Sequence, residues 1–163
     1  QHRMNVLKGD PDWALLGSWL DTNSAAPVHL SLLRGRHLAS RNDPAVINVT
    51  SGLAFTPMAA APVYSATKAA MHSFSISLRA QLAPAGIQVI EIAPPAVDTD
   101  LGGKGVDTYG GRLDEYADRV MRGLEEGKEE IGYGSTAHAS RRIREEMDGM
   151  GAGNKERMTG TSG

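Results

Sequence analysis

Two short apolar runs with a long helical pattern between them predict an α/β fold. The runs are 45–49 and 87–92, both rich in valine or isoleucine, and the segment 63–83 between them has apolar residues at helical spacing. A strand, a helix and a strand within this length match a β-α-β unit, whose two strands must be parallel. We therefore predict an α/β fold with a parallel sheet of about three strands and flanking helices.

A helical pattern also precedes the first strand. Apolar residues recur at mostly helical spacing from Asp12 to Ala39, with Pro27 inside the pattern, so we predict one long amphipathic helix with a kink. The turn residues 42–44 follow it. The strand 45–49 that comes next is β-branched and apolar, and we predict that it is buried.

The last part of the chain is rich in glycine and contains no proline after Pro95. We predict a loop at 102–111, a helix at 113–126 and a short strand at 130–133. A further helix is predicted from Ser135, its N-cap, to Met147, and the polar, glycine-rich remainder is predicted to be disordered.

Composition and charge argue against several classes of protein. Lys and Arg together number 17 and Asp and Glu 19, a formal net charge of -2, which gives no electrostatic basis for nucleic-acid binding. No apolar run approaches the roughly 18 residues of a membrane span, and no secretory leader pattern begins the sequence. The 5 histidines lack metal-ligand spacing, and cysteine is absent. We expect a cytoplasmic protein without a metal site.

Three polar residues suggest proton-transfer chemistry. Tyr64 and Lys68 are spaced i and i+4 on a predicted helix and therefore project from the same face. A cation near a phenol favours the phenolate and lowers its pKa by roughly 1–3 units. Ser51 follows the first predicted strand, at the carboxyl edge where open parallel sheets bind ligands, and its hydroxyl can donate to a reacting oxygen. Together they suit proton transfer to or from a carbonyl or alcohol oxygen.

These residues resemble the short-chain dehydrogenase/reductase family, a Rossmann-fold group of NAD(P)-dependent oxidoreductases. The resemblance is carried by the pair Tyr64 and Lys68, by Ser51, by Asn23 in Leu-Asp-Thr-Asn, and by the segment 94–99, Pro-Pro-Ala-Val-Asp-Thr. The resemblance covers residues from about Gln1 to Leu101 and extends more loosely over 113–133. It implies a Rossmann-like, partial doubly wound parallel sheet of about three strands with flanking helices. It also implies hydride transfer between NAD(P)(H) and a small carbonyl or alcohol substrate.

The resemblance also implies catalytic roles. Tyr64 would be the general acid/base and Ser51 would orient the substrate. Lys68 would lower the pKa of Tyr64 and hold the nicotinamide ribose, and Asn23 would support a water relay.

The cofactor-facing residues implied by the resemblance are Tyr64, Lys68, Pro94 and Thr99. Pro95 departs from the family pattern, which has glycine at this position. Because proline fixes φ and lacks an N–H, the local turn is expected to differ there.

The family's phosphate-binding segment does not occur in the 163 residues. Similar enzymes begin with a strand followed by Thr-Gly-x-x-x-Gly-x-Gly, where the dinucleotide pyrophosphate sits, and later carry Asn-Asn-Ala-Gly. The resemblance therefore predicts a carboxyl-terminal portion that binds NAD(P)(H) weakly by itself, and the start at Gln1 rather than Met fits this. Residues 1–134 would be a partial nucleotide-binding domain, and 135–163 a terminal helix and tail.

Three functions remain open at this point. The first is an oxidoreductase, and the second is a truncated, catalytically inactive member of the family that acts at most as a helix-mediated association module. The third is a chain whose missing half is supplied by another chain. Family members commonly pair through helices that correspond to 12–39 and 63–83, which implies a possible homodimer. Without earlier strands, 45–49 would lie at a sheet edge.

Overall fold

The computed structural model describes residues 4, 5, 7, 12–97 and 110–137 of the chain. Its helices are α1 (Trp13–Leu20), α2 (Ala26–Leu38), α3 (Pro62–Leu82) and α4 (Leu113–Glu125), and its strands are β1 (Ala45–Val49), β2 (Gln88–Ala93) and β3 (Glu130–Gly132). The strands form one parallel sheet in the order β1, β2, β3. The predicted fold class, a parallel sheet of three strands with flanking helices, is confirmed.

The predicted long helix is divided by a wider turn. A π-helical turn, Asp21–Ala25, separates α1 from α2, and Ala26 N–H donates to the Asp21 carbonyl. Pro27 follows directly. Because proline has no N–H and its ring clashes with the carbonyl four residues earlier, which is that of Asn23, the regular α-helical ladder cannot run through this point. The break that the sequence predicts at Pro27 therefore lies just before it.

One face of the sheet is covered by α3 through polar contacts. The buried residues of α3 are Ser65, Thr67, Met71, Ser75 and Leu78. Asn48 of β1 is buried opposite them, and its Nδ2 donates to Ser75 Oγ at 2.9 Å. Hydrogen bonds as well as apolar packing therefore set the position of α3 on the sheet.

The opposite face of β2 and β3 is covered by α4. Alternate residues of a strand point to opposite faces, and Ile90 and Ile92 of β2 form an apolar cluster with Ile131 of β3. The half-buried residues of α4 that pack on this cluster are Tyr116, Val120 and Leu124. Helices thus lie on both faces of the sheet, as the doubly wound pattern requires.

The strand β1 is less buried than the sequence predicts. Ile47 is 47% exposed and Val49 is 54% exposed, whereas Asn48 between them is 6% exposed. Within the described residues, β1 is the edge of the sheet, and its outer edge pairs with no strand. Because α3 covers only the face of Asn48, the prediction of a buried strand was wrong, and the edge position agrees with the expectation for a sheet without earlier strands.

The later elements agree with the sequence pattern where the structure describes them. The helix predicted at 113–126 and the strand predicted at 130–133 correspond to α4 and β3. The predicted loop at 102–111 lies mostly outside the described residues, as does the predicted tail. Of the predicted last helix, 135–137 are helical and the rest lies outside as well. Among the described helices, none has both the length and the hydropathy needed to cross a bilayer.

Candidate active site

Ser51, Tyr64 and Lys68 meet at the carboxyl end of β1. Ser51 lies two residues beyond the strand, Tyr64 is the third residue of α3, and Lys68 follows one turn later. The Ser51 side chain lies close enough to the Tyr64 phenol to lower its pKa. Lys68 Nζ lies 5.5 Å from the centre of the Tyr64 ring. The structure therefore brings together three of the residues that the sequence singles out.

The position of Ser51 follows from a ladder that continues past β1. Thr50 N–H donates to the Ile92 carbonyl at 2.9 Å, and Gly52 N–H donates to the Pro94 carbonyl at 2.7 Å. Ser51 is extended, with φ -167° and ψ 157°, and its Oγ accepts a hydrogen bond from Leu53 N–H at 3.2 Å. Backbone bonds on both sides thus hold Ser51 at the sheet edge.

Burial dominates the electrostatics of the Tyr64 phenol. Removal from water raises the pKa of Tyr64, and the hydrogen bond with Ser51 lowers it by a smaller amount. Burial also lowers the pKa of Lys68, whose Nζ donates to the Val49 carbonyl at 3.2 Å. The pKa of Tyr64 is raised, whereas the spacing of Tyr64 and Lys68 predicted that it is lowered. Desolvation of the phenolate raises the pKa by more than Ser51 lowers it.

Lys68→Met is expected to raise the melting temperature at neutral pH. Because the pKa of Lys68 is lower in the folded chain than the ordinary value of 10.5, its charge opposes folding below the folded pKa. Above pH 10.5 the amine is neutral in both states, so the gain should disappear. Thermal unfolding of parent and variant at pH 7 and pH 11 measures this.

The matched control for this prediction is Lys128→Met. Lys128 is exposed and pairs with Glu126 on the surface, so its replacement should give no stabilisation at pH 7. A Lys68→Met chain that melts at or below the parent temperature at pH 7 would contradict the desolvation argument.

Asn23 lies in the π-helical turn beside α3. Its Nδ2 donates to the Trp19 carbonyl at 3.0 Å. The neighbouring Ser24 Oγ donates at 3.3 Å to the carbonyl of Thr67, the residue before Lys68. The turn thus places Asn23 close to the helix that carries the site. No direct hydrogen bond joins Asn23 to Tyr64 or Lys68 in the described part of the chain.

The two remaining candidates lie beyond β2. Pro94 follows the strand, is half-buried, and binds the Gly52 N–H through its carbonyl. Thr99 lies outside the described residues. Their facing a nicotinamide ring stays a prediction.

Behind the site lie three polar residues that the sequence did not indicate as candidates, Thr50, His72 and Glu91. Thr50 Oγ1 donates to Glu91 Oε1 at 2.6 Å, and His72 Nδ1 lies 2.8 Å from Glu91 Oε2. Glu91 is 1% exposed. A carboxylate in the middle of the apolar strand pattern at 87–92, and a histidine one helical turn after Lys68, were the available signals.

Comparison with known proteins identifies the family. Residues 11–109 match the family model described as short chain dehydrogenase, which is more than half of the chain. The chain belongs to the short chain dehydrogenase family. The resemblance stated on Tyr64, Lys68, Ser51 and Asn23 is therefore confirmed at the level of the family, and the three-stranded sheet is part of a Rossmann-type fold.

Relatives of this short chain dehydrogenase are longer than the chain itself. DltE of Bacillus subtilis (strain 168), an uncharacterized oxidoreductase, is 47% identical over 136 residues, which cover 80% of this chain and 54% of DltE. The chain thus spans about half the length of this relative.

Two solved structures resemble the chain over 99% of its length. A short chain dehydrogenase from Burkholderia cenocepacia J2315 in complex with NADP has 26% sequence identity and a TM-score of 0.71, and 65% of it is covered. Another from Sphingobium yanoikuyae in complex with NADPH has 20% identity and a TM-score of 0.76, and 62% of it is covered. The second likeness supports the fold alone.

Proposed function

We propose that this chain carries the proton-transfer residues of an NAD(P)(H)-dependent oxidoreductase that interconverts small carbonyl compounds and alcohols. The observation that supports this function is the convergence of Ser51, Tyr64 and Lys68 at the carboxyl end of β1. Ser51 beside the Tyr64 phenol and the Lys68 ammonium 5.5 Å from the phenol ring form a proton-transfer group. The proposed activity is that of the whole protein.

Each side chain has a distinct task in the proposed reaction. During reduction, Tyr64 Oη donates its proton to the carbonyl oxygen, which becomes the alcohol hydroxyl, and in the reverse reaction it takes the proton back. Ser51 Oγ donates a hydrogen bond to the same oxygen while negative charge develops on it. Lys68 stabilises the phenolate that remains after transfer, and Asn23 supports the resupply of the proton through water.

The phenol of Tyr64 is present as a proton donor at neutral pH. An ordinary phenol has a pKa near 10 and is protonated there, and desolvation raises the pKa of Tyr64 further. Because a raised pKa makes the phenol a weaker acid, the proposed transfer depends on Ser51 and the charge of Lys68 to stabilise the negative charge that develops.

The residues present fit one end of a nicotinamide cofactor. Tyr64 and Lys68 are half-buried at the strand end and offer a hydroxyl and an ammonium to a ribose, while Pro94 and Thr99 are proposed to face the ring. When bound, the nicotinamide supplies or accepts the hydride. The related short chain dehydrogenase from Burkholderia cenocepacia was solved with NADP, which supports NAD(P)(H) as the cofactor.

The purified 163-residue chain is expected to bind NADPH and NADH weakly. Its sequence contains no Thr-Gly-x-x-x-Gly-x-Gly turn, so the pyrophosphate contacts that this turn supplies are missing. Fluorescence titration should show no saturation below about 1 mM cofactor. A micromolar dissociation constant would contradict this expectation and the idea of an inactive chain together.

The oxidoreductase itself is tested on a longer chain. A version that also carries a strand followed by the glycine-rich turn is expected to bind NADPH in the micromolar range. It should also oxidise NADPH when a ketone or aldehyde is added, which the loss of NADPH absorbance measures. Binding without turnover of any carbonyl compound would favour the inactive alternative.

A second function, helix-mediated association, is favoured by the surface of the first two helices. The large apolar side chains exposed on α1 and α2 are those of Trp13, Leu15, Leu20, Leu30, Leu32 and Leu33. The exposed positions of α3 between 66 and 80 carry small side chains, those of Ala66, Ala69, Ala70, Ser73, Ser77 and Ala80, which permit close approach of another helix. We propose that a homodimer buries helices 12–39 and 63–83, whether or not the chain is catalytically active.

Replacing Leu30 and Leu33 by glutamate is expected to weaken the dimer by at least about tenfold, because two carboxylates would be buried without partners at the interface. The two residues are spaced i and i+3 and share a helix face. Light scattering coupled to size-exclusion chromatography over a concentration series gives the dissociation constant.

The matched control for the dimer is Met121→Glu, which changes an equally exposed apolar residue on α4 and should leave the constant unchanged. A parent chain that is monomeric at all concentrations, or a double variant that dimerises as the parent does, would contradict the proposal.

A further inference from the structure

Two buried polar side chains and a partly buried histidine form a hydrogen-bonded network directly behind Ser51. Glu91 of β2 accepts from Thr50 Oγ1 at 2.6 Å, and His72 Nδ1 lies 3.0 and 2.8 Å from its two carboxylate oxygens. Thr50 is 2% exposed and Glu91 is 1% exposed. Short bonds to a buried carboxylate are strong, and breaking one leaves a costly unsatisfied charge. The conformation of the Thr50 side chain is therefore closely fixed.

The network contacts the chain on both sides of Ser51. Before Ser51, Thr50 is fixed through Glu91. After Ser51, Phe55 packs on His72 in an edge contact, with ring centroids 4.6 Å apart. Because Ser51 is extended between these two contacts, its backbone is held on both sides.

The same network is attached to the helix that carries Tyr64. His72 is four residues after Lys68 and eight after Tyr64, so all three lie along one face of α3. The network therefore joins the segment that contains Ser51 to the helix that contains Tyr64.

We propose that Thr50, Glu91 and His72 form a positioning network that holds Ser51 at hydrogen-bonding distance from Tyr64. The proposal rests on the proposed function, in which Ser51 and Tyr64 act on the same substrate oxygen. The three residues do not touch the substrate oxygen themselves and act through Ser51. Their contribution is to keep the two donors converging before a substrate arrives, which is the preorganisation that electrostatic catalysis needs.

The titration of Tyr64 tests the network in the 163-residue chain without any assay of activity. The phenol carbon is observed by NMR in a chain labelled with ¹³Cζ-tyrosine, and Tyr64→Phe assigns the signal. Because the Ser51 hydrogen bond lowers the pKa of Tyr64, Ser51→Ala should raise it. Thr50→Val removes the hydroxyl with little change of shape and should raise the pKa in the same direction. Thr50→Ser keeps the hydroxyl and should leave the parent value.

The matched control is Ser75→Ala. Ser75 accepts from Asn48 in the same buried interface between α3 and the sheet, but it does not contact the network. Its loss should lower stability without moving the Tyr64 pKa. All these variants exchange one uncharged residue for another, so no direct charge effect on the phenol is introduced. If Thr50→Val does not fold, Thr50→Ala gives the same comparison.

The outcomes separate the network from the proposed function. A raised Tyr64 pKa in Thr50→Val, restored in Thr50→Ser and absent in Ser75→Ala, supports the positioning role. An unchanged pKa in Thr50→Val while Ser51→Ala raises it overturns the network alone, as does an equal rise in Ser75→Ala. If Ser51→Ala itself produces no rise, both the network and the proposed pairing of Ser51 with Tyr64 are overturned.

Discussion

Tyr64→Phe should lower the rate of carbonyl reduction by about 10²- to 10⁴-fold in a chain that binds NADPH, because the substitution removes the general acid. The phenyl ring keeps the packing of α3 and the contact with Lys68, whose Nζ lies 5.5 Å from the ring centre. Cofactor affinity should therefore change little. Turnover followed by NADPH absorbance gives kcat, and fluorescence titration gives the dissociation constant of the cofactor.

The matched control is Tyr116→Phe. Burial raises the pKa of Tyr116 as it does that of Tyr64. However, Tyr116 is a residue of α4 and packs against the apolar cluster of β2 and β3. Its loss should leave turnover unchanged. Turnover retained in Tyr64→Phe would remove Tyr64 from the proposed role, whereas loss in both variants would indicate a general structural effect.

Tyr64→Phe should also change the pH dependence of stability, an effect that is independent of catalysis. Because the folded pKa of Tyr64 is raised above the ordinary value of 10.0, the parent chain loses stability as pH rises from 10.0 through the folded pKa. Phenylalanine cannot ionise. The melting temperature of Tyr64→Phe relative to the parent should therefore increase above pH 10, and it should be independent of pH near neutrality.

Gly132→Ala should lower the free energy of unfolding by about 3 kcal/mol, the upper part of the range for overpacked sites. A Cβ at Gly132 would lie 2.7 Å from the amide nitrogen and 2.8 Å from the Cα of Ala137. Both are backbone atoms of the helical turn 135–137 that follows β3, so no side-chain rotation can relieve the contact. Urea unfolding of parent and variant measures the difference.

Gly35→Ala provides the opposite result as a control. Gly35 lies inside α2, and no atom lies within 4 Å of the position that a Cβ would take there. Alanine is a better helix former than glycine by about 0.5–1 kcal/mol. The variant should be more stable than the parent. A Gly132→Ala chain that unfolds at the same urea concentration as the parent would contradict the close approach of β3 to the helical turn 135–137.

The damage at Gly132 should also extend toward the site. Thr136 Oγ1 donates to the Ala93 carbonyl at 2.8 Å, and its methyl group faces Gly52, where a Cβ would collide with it. Movement of the turn therefore changes the contact on the residue that follows Ser51. The titration of Tyr64 in Gly132→Ala reports this movement separately from the loss of stability.

The parts of the fold that depend on local sequence could be predicted. The strand at 45–49 has the predicted bounds because a β-branched run follows Pro44. The helix predicted at 63–83 differs by one residue at each end, since proline at 62 begins a helix readily. Family spacing brought out Ser51, Tyr64 and Lys68, which meet in the structure.

The parts that depend on packing could not be predicted. The exposure of Ile47 and Val49 depends on which elements lie beside β1, and a β-branched pattern does not contain that information. The direction of the Tyr64 pKa depends on burial, which the spacing to Lys68 does not reveal. The network of Thr50, His72 and Glu91 joins residues from three separate segments, so no local motif could indicate it.

The polar contact between α3 and the sheet has a consequence for how the chain would meet a complementary half. An apolar interface tolerates sliding, whereas directional bonds such as those of Asn48 with Ser75 and of Glu91 with His72 fail together if the helix shifts by one turn. These bonds therefore fix the register of α3 on the sheet, although the outer edge of β1 pairs with no strand in the described residues. If a strand of a nucleotide-binding segment paired with β1, Tyr64 and Lys68 would already be aligned, and the segment could dock without refolding of α3.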